Sequence, residues 1–394
     1  MKSLPIKIMT ALITFTLGVV ITSLWLSSWI SPAIDPITLD SPPSARLEMV
    51  FVVDTTGSMS GLIEGAKQKI WGIVNQVMQE SQVSSVRIGL VAYRDRGDDY
   101  LAQVIPLTDD LDKVYTVLMH YDARGGGDYA EDVRSALVAS LNDIEWSPAA
   151  NDLSQIVFLV GDAPPHDDYD DAADTLVTAA AAVRRGIIVN TVRCGLSAET
   201  ERAWQAIAQY GNGQYFSIAQ DGGVQAISTP YDEHMGELAS RLGSTFIAFG
   251  GGAGADGVEA RKELSRRVAT VESSVLDSAP SVAKAERAVN KAINSKAYMG
   301  DLLQNIENGS VTLDSVNPAE LPADLQALSP DERRQEIEKR LAERRTIRGQ
   351  IMSLSKQRQA YLEDEQKRAR VKKDGFDEVV SKTLKEQMAR KKIN

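Results

Sequence analysis

Residues 48–60 read EMVFVVDTTGSMS, an apolar run that stops at an acid and continues into closely spaced hydroxyls. Val50 to Val53 have the continuous apolar character of a buried strand, and Gly57 permits a tight turn directly after it. Asp54, Thr56 and Ser58 then point toward one place, where hard oxygen donors converge. That donor set suits Mg2+ or Mn2+; Mg2+ in particular prefers octahedral geometry, keeps several waters and takes only a few carboxylates. The other reading is an ordinary strand-to-helix turn with Thr and Ser as N-caps. The rest of the chain has to choose between them.

Outward from this stretch, strand and helix patterns alternate from Arg46 to about Phe249, which predicts an α/β fold with a largely parallel sheet covered on both faces. Strands are expected at Leu47 to Val53, Val86 to Tyr93, Gln103 to Pro106, Gln155 to Val160, Gly186 to Val192 and Gln214 to Ser217. Helices are expected at Ser60 to Glu80, Asp110 to His120, Ala130 to Asp143, Tyr169 to Arg185, Ala198 to Tyr210 and Val224 to Leu242. In the first helix Leu62, Ala66, Ile70, Ile73, Val74 and Val77 recur at helical spacing and form a face for the sheet. Ligands of such sheets collect beyond the carboxyl ends of the strands, at the switch point in strand order. Two further acids belong to that rim. Asp162 ends the strand SQIVFLVGD, and Pro164 and Pro165 stop the ladder there. Asp128 follows Gly125, Gly126 and Gly127; it serves equally as a helix N-cap, with Glu131 completing a capping box three residues on.

The segments VFVVDTTGSMS, GGGDYAED and LVGDAPPH, in that order and spacing, resemble the three metal-site loops of a von Willebrand factor type A domain. The resemblance covers residues 46–249 and implies an open, doubly wound, Rossmann-like sheet bearing a metal-ion-dependent adhesion site. The family's Asp-x-Ser-x-Ser pattern is met by Asp54, Thr56 and Ser58, with Thr in place of the middle Ser. In that resemblance Thr56 and Ser58 ligate through their hydroxyls, while Asp54 and Asp162 act through or beside bound waters. The family commonly has a Thr in the second loop, where this chain has Gly127 and Asp128. The ligand set implied is therefore Asp54, Thr56, Ser58, Asp128 and Asp162, holding Mg2+ or Mn2+. A cation bound mostly by hydroxyls and water stays positive enough to take an Asp or Glu carboxylate of a protein partner.

The rest of the chain frames that domain. The formal charge of -11 argues against nucleic acid as a partner, and the single Cys194 excludes an intramolecular disulfide or a cysteine-based zinc site. Lys2 and Lys7 precede an uncharged run from Ile8 to Ile30, long enough for a membrane-spanning helix, with Trp25 and Trp29 at its far end. Residues 1–33 are thus expected to be an uncleaved transmembrane anchor, the alternative being a signal peptide cut after Ala33. Either way the remainder lies outside the cytoplasm, on the periplasmic side of the inner membrane in a Gram-negative cell. Residues 34–45 read as a proline-rich linker and residues 250–257 as a glycine-rich hinge.

Residues 258–394 read as a helical, partly coiled-coil-like region for self-association or spacing, with a helical hairpin packed on the preceding domain as the alternative. Arg344 and Arg348 interrupt its heptad. The region is similar to tails of bacterial extracytoplasmic proteins of the same family. Catalysis is not expected. His120 and His234 lie in expected helices without ligand spacing, and His166 after Pro164 and Pro165 reads as a structural hydrogen-bonding residue despite its closeness to Asp162. The position two after Asp54, where a haloacid dehalogenase-like phosphatase has a second acid, is Thr56. The reading is a membrane-anchored, cation-dependent binding module. Its rivals are a hydrolase using the same acids and a structural envelope protein without metal.

Overall fold

The computed structural model describes residues 45–80, 83–127, 129–166, 168–169, 172–220, 227–294, 296–369 and 376–392. The expected anchor and the proline-rich linker, but for Ala45, lie outside the described residues, as does Asp128; the side chains of residues 64–70, Ala66 and Ile70 among them, are likewise outside. Among the described residues no helix is long and apolar enough to cross a membrane.

Twelve elements build the α/β layer: β1 (Ala45–Asp54), α1 (Ser60–Glu80), β2 (Val83–Tyr93), β3 (Ala102–Thr108), α2 (Leu111–Met119), α3 (Val133–Asn142), β4 (Leu153–Gly161), α4 (Thr175–Arg184), β5 (Ile187–Cys194), α5 (Ala198–Tyr210), β6 (Asn212–Ile218) and α6 (Asp232–Ser244). The six strands run in the order β3-β2-β1-β4-β5-β6. All neighbours are parallel except β3, which is antiparallel to β2. Alternation along β1 supplies both cores. Leu47, Met49 and Phe51 pack with Leu62, Trp71, Val74 and Val77 of α1, while Val50 and Val52 pack with Val133 and Leu137 of α3 and Trp204 of α5. Every residue of β4 is buried, which is why it reads as an unbroken apolar run. From β1 the chain goes to β2 on one side and later to β4 on the other, so the switch point lies between β1 and β4. Val53 pairs with Val160, and Asp54 and Asp162 therefore emerge side by side.

Helix starts are set by caps that differ from those expected. The third helix begins at Val133, because Asp132 accepts from Ser135 N at 2.9 Å; the fourth begins at Thr175, where Asp174 accepts from Leu176 N at 2.8 Å. The sixth begins at Asp232 rather than Val224, and residues 221–226 lie outside the described set.

After Gly254 come α7 (Ala255–Ser278), α8 (Ser281–Ile293), α9 (Leu302–Glu307), α10 (Ala323–Gln326), α11 (Pro330–Ala369) and α12 (Phe376–Lys392). Helices α7, α8, α11 and α12 pack on the α/β layer instead of forming a coiled coil, while α9 and α10 pack with Ile247 and with Ile337 and Leu341 of α11. Helix α8 lies on α1 and α6, while Val380, Leu384 and Met388 of α12 join the core that contains Trp71. Ile347 and Ile351 of α11 pack with Met235, Leu238 and Leu242 of α6. Arg344 breaks the heptad for a physical reason: it is fully buried and donates to Thr245 Oγ1 at 3.0 Å and to Asp301. Arg348 reaches Glu307 at 2.7 Å. The glycine-rich stretch is clamped, since the buried Arg261 donates to the carbonyls of Gly250 and Gly252, each at 2.7 Å.

Candidate metal centre

The first loop folds back on its own acid. Asp54 is fully buried, and its Oδ1 accepts from Thr56 N at 2.8 Å and from the Thr56 hydroxyl at 2.7 Å. Ser58 Oγ lies 3.3 Å from the Thr56 hydroxyl and is exposed, in a 3-10 turn of Gly57–Met59 that runs into α1. Thr55 faces away, to Tyr93 O at 2.9 Å and Tyr100 Oη at 2.6 Å.

Main-chain bonds then lock the second and third loops to the first. Gly57 N donates to Gly125 O at 3.3 Å and Arg124 N to Thr55 O at 3.1 Å. Gly125 and Gly126 hold φ of +80° and +84°, the left-handed region that glycine tolerates. Glu131 N donates to Pro164 O, and His166 N to Glu131 O, both at 3.1 Å, which ties the second loop to the third.

Of the expected ligands, Asp54, Thr56, Ser58 and Asp162 are brought together. Asp162 is half-buried and accepts from Gln220 Nε2 at 2.6 Å; the same amide reaches Ser58 O at 3.2 Å. Two residues were not anticipated as site residues, Gln220 and Glu131. Gln220 is brought in by the end of β6, a contact that no local pattern signals. Glu131 carried a signal that was read differently, as the partner of a capping box. Because Asp132 caps α3, the Glu131 carboxyl is free to turn inward, where it is 3% exposed and within reach of the Thr56 hydroxyl.

The electrostatics are those of buried acids crowded together. Asp54 Oδ2 and Glu131 Oε2 are buried and receive no hydrogen bond among the described residues. Burial pushes the Asp54 carboxyl up to about 7, the bonds from Thr56 oppose the rise, and the Asp162 carboxyl, close enough to share a proton, adds to it. Glu131 is pushed up to about 9 by burial, with the charges of Asp54 and Asp95 adding to the effect. Buried acceptors without donors are costly. A hard divalent cation removes that cost, so the donors present fit one. No three His, Cys, Asp or Glu side chains among the described residues converge as a self-sufficient cluster, which leaves hydroxyls and water as necessary parts of the shell.

His166 takes no part in this donor set. Its ring bonds Asp168 at 2.8 Å and stacks on Tyr169 at 4.1 Å between centroids.

Gly161, just before Asp162, has room for hydrogen only: a Cβ there would lie 2.5 Å from Tyr93 Oη and 3.3 Å from Asp54 Cβ. Gly161→Ala is expected to cost about 1–3 kcal/mol of stability by overpacking, read from a denaturant midpoint. An unchanged midpoint would contradict the packing described.

Residues 48–230 match the von Willebrand factor A domain family. Over 207 residues, 52% of this chain, the sequence is 30% identical to von Willebrand factor A domain-containing protein 7 of Rattus norvegicus. The matched part spans 21% of that relative's length. Among solved structures, the BatB protein of Bacteroides thetaiotaomicron aligns with 45% of this chain and 91% of its own at 16% identity and a TM-score of 0.33. Proximal thread matrix protein 1 of the mussel byssus, solved with a zinc-occupied MIDAS motif, aligns with 45% of this chain and 42% of its own at 12% identity and a TM-score of 0.33.

Proposed function

Residues 48–230 are a von Willebrand factor A domain, and from that premise we propose that the chain is a cation-dependent protein-binding module rather than an enzyme. Domains of this family are generally interaction modules. The observation that carries the reading is the pair of interacting carboxyls, Asp54 and Asp162, with a donorless Asp54 oxygen in the same loop as the exposed Ser58 hydroxyl. Thr56 and Ser58 would hold the ion through their hydroxyls, Asp54 and Asp162 through carboxylate charge, directly or across water. A bound divalent cation, Mg2+ or Mn2+, supplies an electrophilic open position that a partner's Asp or Glu carboxylate completes. Asp54 keeps Thr56 oriented by two hydrogen bonds, and Gln220 spans the first and third loops at the rim. In this proposal residues 1–33 anchor the chain, and the domain meets its partner outside the cytoplasm.

The function is tested by photo-crosslinking from the rim in living cells. Protein adducts should form with the wild type and be lost with Ser58→Ala; the same adducts in both would contradict the proposal.

Protons compete with the cation. Asp54 and Glu131 have folded pKa values above the unfolded value of about 4. Their charged forms therefore weaken the cation-free protein progressively as pH rises through about 7 for Asp54 and about 9 for Glu131. Cation affinity should rise over the same interval, and binding at neutral pH should release protons. Titrating MgCl2 at pH 7 in PIPES and in imidazole, which differ in ionisation enthalpy, should give different heats. Equal heats in the two buffers would contradict this electrostatic account.

A further inference from the structure

We propose that Glu131 is a contribution of the second loop to the cation site, its carboxylate accepting a hydrogen bond from a water on the bound cation. The inference rests on the cation reading above and sharpens it. A buried carboxylate normally finds donors, and Glu131 Oε2 has none among the described residues although the residue is 3% exposed. The position is built. Glu131 N and O are both bonded to the third loop, and Glu131 forms a parallel bridge with Pro165. Gly126 leaves the space beside it clear: a Cβ on Gly126 would lie 3.3 Å from both Glu131 Oε1 and Thr56 Cβ.

Helix capping does not explain the residue, because Asp132 performs that task for α3. Direct ligation by a cluster of acids is not what the described residues favour either, since no three acids among them converge. A carboxylate one water away from the ion satisfies both observations, and Mg2+ and its relatives keep such waters. Outer partners of this kind orient what the ion holds and raise its affinity. Glu131 is thus a positioning residue. Its negative charge also reduces the pull that the ion exerts on a partner's carboxylate, so the site trades partner affinity for cation affinity.

The test is calorimetric titration of the full chain with MnCl2, using the wild type, Glu131→Gln and Ser58→Ala, together with melting curves in EDTA. Glu131→Gln should weaken Mn2+ by about tenfold or more. In EDTA, Glu131→Gln should melt no lower than the wild type, because it removes a buried acid. The proposal is overturned if Glu131→Gln keeps the affinity, or if it melts lower in EDTA, which marks a structural role. If Ser58→Ala weakens Mn2+ and Glu131→Gln does not, the cation site stands and the role of Glu131 falls. A wild type that binds no Mn2+ overturns both.

Discussion

Replacing Arg287 with alanine is expected to lower the unfolding free energy by about 3–5 kcal/mol, the range found when one partner of a buried ion pair is removed. Arg287 is 2% exposed. Its guanidinium donates to both carboxylate oxygens of Asp112, at 2.9 and 2.7 Å, and to both of Glu272, each at 2.7 Å. Lys291 adds a bond to Asp112 at 2.7 Å, and Tyr298 donates to Glu272 at 3.1 Å. Burial alone would raise the Asp112 pKa, but the charges of Arg287 and Lys291 outweigh it and hold the carboxyl far below its usual range. Alanine would leave two acids in the interior with one ammonium between them.

The sign of the pH dependence follows. A depressed acid gives stability that is present above its unfolded pKa of about 4 and lost as pH falls below it. Wild type should therefore lose stability on acidification, and Arg287→Ala should lose less. Urea titrations at pH 7 and pH 3 measure both differences. A loss below about 1 kcal/mol at pH 7 would show that the pair is not sealed from water as described. Since Asp112 lies on α2, Glu272 on α7 and Arg287 on α8, the same network makes the later helices part of one cooperative unit with the α/β layer.

Asp54→Asn is expected to reduce divalent-cation affinity by about 100-fold, the upper range for perturbing metal-site partners, while sparing the fold. The asparagine carbonyl can still accept from Thr56 N and the Thr56 hydroxyl, as Asp54 Oδ1 does. Its amide occupies the place of the donorless Oδ2 and offers a hydrogen to Asp162, so a buried repulsion becomes a bond. In EDTA the variant should melt at or above the wild type; with MgCl2 the order should reverse. Equal upward shifts of both proteins on adding MgCl2 would contradict the site.

The sheet was legible because its central strands are apolar runs broken by turn chemistry, with β1 and β4 buried on both faces. All six strands fall where the pattern put them; most ends extend one to three residues further, while β2 ends at Tyr93 as expected and β5 starts one residue later, at Ile187. The first and third loops were legible for a related reason: an acid at the tip of such a strand is conspicuous. What escaped was contact between distant segments. Glu131 three residues after Asp128 has the spacing of a capping box, and nothing local shows that Asp132 caps α3 instead. Gln220 meets Asp162 from 58 residues away. Arg344 looked like a flaw in a heptad because its partners, Thr245 and Asp301, are 99 and 43 residues distant. A buried arginine is recognisable only with its acids in view.

The central claim, that three loops at the switch point hold a cation, is tested most directly by manganese anomalous diffraction from crystals grown with MnCl2. The account predicts a single anomalous peak bounded by Asp54, Thr56, Ser58 and Asp162, with Glu131 one water away. Crystals saturated with Mn2+ that show no peak between those side chains would contradict it.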